Sequence, residues 1–103
     1  MNKILLLITT VPNKLLAEQI AKELIESKLA ACVSIKKIKS IYKWKENIEQ
    51  NEEFEITVKS LPGKLNKLTL FLREKITYEV PELIYKIFES EKSYFQWIKE
   101  SIN

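Results

Sequence analysis

Glu53-Phe54-Glu55-Ile56-Thr57-Val58-Lys59 alternates without a break: Phe54, Ile56 and Val58 fall on one face, and Glu53, Glu55, Thr57 and Lys59 on the other. Successive side chains of a β-strand point to opposite faces, so this is a strand with one face on a core and one toward water. It ends near Ser60. Upstream, the charged stretch Lys45-Glu46-Asn47 reads as a turn, and residues 31–44 form a second long β-rich segment. The two make an extended hairpin. Alternation falters at Lys36-Lys37, which predicts a bulge or bend there.

Working outward, residues 3–10 read as a buried strand, and Pro12-Asn13 punctuates it with Asn13 as helix N-cap. Leu16, Ile20 and Leu24, with Ala17, Ala21 and Ile25, then recur at helical spacing to about Lys28. After the hairpin, Ser60 and Pro62 mark a helix start, with Leu61, Leu65, Leu68 and Leu72 as its apolar stripe. Pro81 opens a strand through Leu83, Ile84, Ile87 and Phe88. Ser90 caps a last helix carrying Tyr94, Ile98 and Ile102 on one side. The order βαββαβ plus a terminal helix predicts an α+β fold, a ferredoxin-like sandwich with an antiparallel sheet, in a single domain over residues 1–103.

The first strand does not fit a one-sided sheet. Ile4-Leu5-Leu6-Leu7-Ile8 is apolar throughout, where a sheet with one wet face should alternate. Something must cover the second face near its centre. With 103 residues no spare layer is expected, so another copy of the same chain is the predicted cover.

Composition narrows the function classes. Hydrophobic residues make up 46% of the chain, which supports a packed core and excludes disorder. The net charge of +3 comes from 17 basic and 14 acidic residues, and Arg73 is the only arginine. Lysines spread this evenly describe a solvated surface, whereas a nucleic-acid footprint would be clustered and richer in arginine. RNA-recognition domains share the topology, but they stack bases on central-strand aromatics, and here the first strand is aliphatic and the third offers only Phe54. Cys32 is the only cysteine, so no intrachain disulfide forms. The run at Ile4–Ile8 is too short for a signal-peptide core, and no stretch approaches the roughly 20 apolar residues of a membrane span. The expectation is a soluble, cytoplasmic protein with no nucleic-acid or membrane partner. There is no histidine to act as a base, and the single glycine, Gly63, excludes a Gly-rich phosphate loop. An enzyme is therefore not expected.

Tyr78-Glu79-Val80-Pro81-Glu82, read with Leu29-Ala30-Ala31-Cys32-Val33 and Ser40-Ile41-Tyr42-Lys43-Trp44, resembles the CutA family, the divalent-cation tolerance proteins. Thr10-Val11-Pro12, the helix with Ala17, Ala21 and Leu24, then Glu53, Val58-Lys59-Ser60, Tyr94 and Trp97-Ile98 extend the resemblance across nearly the whole chain. It implies a compact homotrimer of ferredoxin-like subunits, similar to the PII signalling proteins, in which the long hairpin reaches across to neighbours. Tyr42, Trp44 and Trp97 are then the trimer-contact candidates. Two arrangements satisfy Trp44: packing against a neighbour or packing within its own subunit.

The chain departs from the family where metal chemistry is concerned. Many relatives carry His-Pro-Tyr where this chain has Ile76-Thr77-Tyr78, and a cysteine of some relatives falls at Thr9. Imidazole and thiolate are what make a site favour copper or zinc, so the remaining donors are carboxylates and one thiol. Cys32 sits among apolar neighbours as a small hydrophobe would. Glu82 matches a family position proposed to bind metal, and with Glu79, or in three copies around a trimer, it could hold a divalent cation such as copper weakly through oxygen. Two further readings stay open. One is a PII-like small-molecule module, with Lys59, Tyr78 and Glu79 beside Glu82 in a cleft between subunits. The other is a structural trimer that shows its surface to a protein partner, with Lys59 and Glu82 as an ion pair.

Overall fold

A computed structural model describes residues 2–103. Its elements are β1 (Lys3–Val11), α1 (Lys14–Glu26), β2 (Cys32–Trp44), β3 (Asn47–Ser60), a short 3-10 turn (Pro62–Lys64), α2 (Leu65–Lys75), β4 (Ile84–Glu89) and α3 (Lys92–Ile102). The strands form one antiparallel sheet in the order β2-β3-β1-β4, the ferredoxin-like arrangement.

Local chemistry sets the boundaries. The Asn13 side chain accepts a hydrogen bond from the Leu16 N–H at 2.8 Å and so satisfies one of the orphan donors at the start of α1. At the other end Lys28 sits at φ 62°. The Leu29 N–H returns to the Leu24 carbonyl at 3.0 Å and that of Lys28 to Ile25 at 3.1 Å, a Schellman closure. The hairpin turns in two residues, with Lys45 at φ 50° and Glu46 at φ 73°, as the right-handed twist of its strands demands.

The core lies between α1, α2 and one sheet face. Leu5, Leu7 and Val11 of β1 meet Ile56 and Val58 of β3, and Ala17, Ile20, Leu24, Leu68 and Leu72 close over them. Truncating one such leucine to alanine costs about 2–5 kcal/mol.

The opposite face corrects the sequence expectation in part. A second layer does exist within the chain, because α3 packs there: Ile98 and Ile102 cover Ile4, with Ala31, Leu61 and Phe95 around them. The rest of that face stays open. Leu6 and Ile8 are half-buried, and on β4 Ile84, opposite Ile8, and Phe88, opposite Ile4, are exposed.

Three local expectations also change. No bulge occurs at Lys36-Lys37, since β2 and β3 pair in unbroken register from Cys32 opposite Lys59 to Trp44 opposite Asn47. β2 is the edge strand of the sheet and both lysines are exposed there, so lysine on either face is tolerated without a register slip. The last strand begins at Ile84, because residues 81–83 hold no strand pairing. Ser90 does not cap α3: Glu91 is the N-cap without a side-chain bond, and the Ser90 N–H donates to the Asn2 carbonyl at 2.7 Å.

The hairpin shapes the molecule. The extents are 46 × 24 × 22 Å and the radius of gyration is 14.5 Å, against about 13 Å for a compact chain of this length.

Candidate functional site

The unbroken hairpin register places Ser40, Tyr42 and Trp44 of β2 on the same sheet face as Glu49 and Glu53 of β3 and Thr10 of β1. This is the face away from α1 and α2. The segment after α2, residues 77–82, lies against it and encloses a cleft of about 850 Å³ whose walls include Tyr42, Trp44, Glu53, Tyr78, Glu79 and Glu82. Ile76, Tyr78 and Leu83 pack on the main core and so hold this segment in place.

One hydrogen bond organises the floor. The Tyr78 hydroxyl donates to Glu53 Oε2 at 2.6 Å. Glu53 is only 9% exposed, and among the described residues no lysine or arginine forms an ion pair with it. The Tyr78 hydroxyl is pushed far up from its ordinary value, first by burial and then by the bond to, and charge of, Glu53. Glu82 is raised too, by desolvation and then by the charges of Glu55 and Glu53. Glu49, Glu53, Glu79 and Glu82 line the cleft and no lysine or arginine does, so its lining is acidic. On its outer wall the Asn51 side-chain amide donates to the Tyr42 hydroxyl at 2.7 Å and fixes that ring's position.

The candidates from the sequence divide into two groups. Glu82, Tyr78, Glu79, Tyr42 and Trp44 come together in the cleft. Lys59 and Trp97 do not. Lys59 stands opposite Cys32 and Leu6, six residues along β3 from Glu53 and so roughly 20 Å away. Its ammonium lies 5.9 Å from the Tyr94 ring centroid, and Tyr94 stacks on Trp97 at 5.8 Å between centroids. No Lys59–Glu82 pair forms within this chain. Glu49, Glu53, Thr10 and Ser40 were not among the candidates, and hairpin register was the signal that could have found the first two. A two-residue turn at Lys45-Glu46 sets Tyr42 opposite Glu49.

A resident metal does not fit one subunit. Among the described residues no three His, Cys, Asp or Glu side chains converge to hold an ion. Cys32 lies opposite Lys59, at the far end of the sheet. The donors within the cleft are oxygens, which copper and zinc favour less than nitrogen or sulfur.

Comparison with known proteins agrees with this frame. A family model described as CutA1 divalent ion tolerance protein matches residues 5–101. The Xenopus laevis "Protein CutA homolog" is 38% identical over 95 residues, covering 90% of this chain and 63% of the relative. The chain thus spans less than two thirds of that protein's length, and 52% of the human "Protein CutA". The Thermus thermophilus "Divalent-cation tolerance protein CutA" is 35% identical over 94 residues, covering 89% of this chain and 91% of the relative. The structure of CutA from Synechococcus elongatus superposes with a TM-score of 0.94 at 32% identity, over 100% of this chain and 93% of the other. With the family model reaching from β1 to the end of α3, the chain belongs to the CutA1 divalent ion tolerance protein family.

Proposed function

We propose that this chain serves divalent-cation tolerance as a homotrimer, and that it meets copper or another divalent cation weakly, through carboxylate oxygen, rather than in a resident metal centre. The observation that carries the cation reading is the cleft lining, where Glu49, Glu53, Glu79 and Glu82 gather with no lysine or arginine; at Glu82 burial first, and then the charges of Glu55 and Glu53, disfavour the charged form. A bound cation relieves that repulsion. Oxygen-only donors select hard cations and hold copper loosely. For the trimer, the support is unpartnered apolar surface: Ile41 and Ile48 on the hairpin are 65% and 81% exposed. Calorimetric titration with Cu(II), on the wild-type chain and a Glu82→Gln variant, tests the cation site. Weak saturable binding that falls in the variant supports it. Tight binding that ignores the substitution, or no binding, overturns it.

A second reading is favoured by a specific feature of the same cleft. At about 850 Å³ it lies in the size range of small-molecule pockets, and Tyr42, Trp44 and Tyr78 give it aromatic walls. On this reading the trimer is a binding module for a small molecule, and catalysis is not its role.

A further inference from the structure

One face of the sheet carries two ends of opposite charge. Toward the hairpin stand Glu49 and Glu53, joined by Glu79 and Glu82 of the segment after α2, with no lysine or arginine in that lining. Further along the same face Lys59 of β3 stands opposite Leu6 of β1, and Lys86 of β4 stands opposite Leu6 from the other side. The two lysines are thus two strand spacings, about 10 Å, apart. Among the described residues none of these four carboxylates and neither lysine forms an ion pair. The pairs that exist, Lys37–Glu52, Lys43–Glu46 and Lys75–Glu23, lie elsewhere.

The two ends do not meet within one chain, because roughly 20 Å of strand separates Lys59 from Glu53. Each lysine is set over a ring instead: the Lys59 ammonium is 5.9 Å from the Tyr94 centroid and that of Lys86 is 5.7 Å from the Phe88 centroid. An aromatic face positions an ammonium without neutralising it, so both charges stay available to a carboxylate from outside. Between the ends lies the uncovered apolar strip, with Leu6 and Ile8 half-buried and Ile84 exposed beside them. A second copy of this chain offers the complement of all three parts.

Symmetry limits how copies can match. A two-fold dimer gives both ends of each copy to one partner, whereas a ring gives the acidic end to one neighbour and the basic end to the other. Three equivalent copies close only as a ring. Resting on the homotrimer reading above, we infer that the trimer closes head to tail, with Lys59 and Lys86 of one copy against the acidic end of the next. Glu79 is the carboxylate that receives them. Glu53 is buried and bonded by Tyr78, and Glu82 is set against Glu55 and Glu53, while Glu79 is exposed. Glu53 and Glu82 stay behind this contact, where the cation reading needs them.

The test is light scattering over a dilution series in a fixed low concentration of urea, which loosens the assembly without screening charge. It compares wild type, Lys59→Glu, Glu79→Lys, the double variant and Lys67→Glu, an equal charge change on the exposed side of α2. Lys59→Glu should raise the concentration of half-dissociation by about tenfold, as like charges forced together do. Glu79→Lys should raise it less, because three carboxylates remain at that end. The double variant should assemble more tightly than Lys59→Glu, and Lys67→Glu should match the wild type. Lys59→Gln, which drops the charge without reversing it, carries the same test if Lys59→Glu does not fold. A monomeric wild type ends the homotrimer reading and this inference with it. A trimer that Lys59→Glu and Lys67→Glu affect alike keeps the homotrimer and overturns the head-to-tail contact. A double variant no tighter than Lys59→Glu overturns the pairing with the acidic end, and a wild-type dimer overturns the ring.

Discussion

Thr9 shows what a single buried atom can cost. The residue is fully buried in β1, and its hydroxyl has no hydrogen-bond partner among the described residues. An unmet buried hydroxyl costs about 1–3 kcal/mol, so Thr9→Val, nearly the same shape without the polar atom, should stabilise the fold by roughly 1 kcal/mol. Urea unfolding checks it, and an unchanged midpoint would mean the hydroxyl is satisfied after all. Tyr78 makes the opposite case. Tyr78→Phe strips the donor from the buried Glu53 carboxylate and should cost about 1–3 kcal/mol, most of it recovered when Glu53→Leu is added. Glu82 links this cleft to pH. Its carboxyl is raised by desolvation and by Glu55 and Glu53, so protonated Glu82 favours the fold at low pH and that contribution is lost as pH rises through its folded value. Glu82→Gln should therefore gain a little stability at neutral pH and none below about pH 4, where the wild-type carboxyl is also neutral. Equal gains at both pH values would show that charge is not the cause. None of this was legible from spacing. Glu53 and Tyr78 stand 25 residues apart in sequence, and only the fold makes them a pair.

At the scale of elements, strict alternation read β3 correctly, and Asn13 marked the start of α1. The Lys36-Lys37 break was misread because polarity was taken for a register slip, when it reports an exposed edge strand. The start of the last strand was misplaced for a different reason. Residues 81–83 look like a strand opening, but β1 pairs with β4 only from Ile8 opposite Ile84 toward Lys3. Beyond that point the chain is used to wall the cleft. The hairpin turn carries its own strain, since Lys45 and Glu46 both adopt positive φ where asparagine and glycine are at home. Left-handed backbone costs an ordinary residue about 1–2 kcal/mol. Lys45→Asn with Glu46→Gly should then raise the urea midpoint with no change in slope, a gain of about 1–2 kcal/mol. A lower midpoint would mean that the Lys45 ammonium, 5.8 Å from the Trp44 ring centroid, contributes more than the turn strain takes away.

For the whole molecule the deciding quantity is apolar surface left uncovered. The sequence pointed to it through the unbroken aliphatic run of β1, and the structure divides the answer. α3 takes the Ile4 end of that face, while Ile84 and Phe88 remain 54% and 42% exposed beside Ile8 and Ile4. The other end of the molecule repeats the problem, for Ile41, Tyr42, Trp44 and Ile48 stand exposed near the tip of the β2-β3 hairpin. Isolated exposed apolar residues are ordinary; contiguous ones on a flat sheet and on a long hairpin are interface. The proposed homotrimer would bury both. Light scattering at micromolar concentration should then give three times the chain mass of 12.1 kDa. The contribution of Trp44 to that assembly is bounded by what the lone subunit leaves free. The side chain is 37% exposed, so contact with a neighbour recovers only part of the ~1.5–3 kcal/mol that full burial of a large apolar side chain provides. Trp44→Ala should consequently raise the concentration at which the trimer dissociates while leaving a folded subunit, because the main core does not include this residue. A wild-type monomer would remove the need for a partner on either surface. An unaltered trimer in the variant would return Trp44 to the cleft of its own subunit, where its remaining role is to bind.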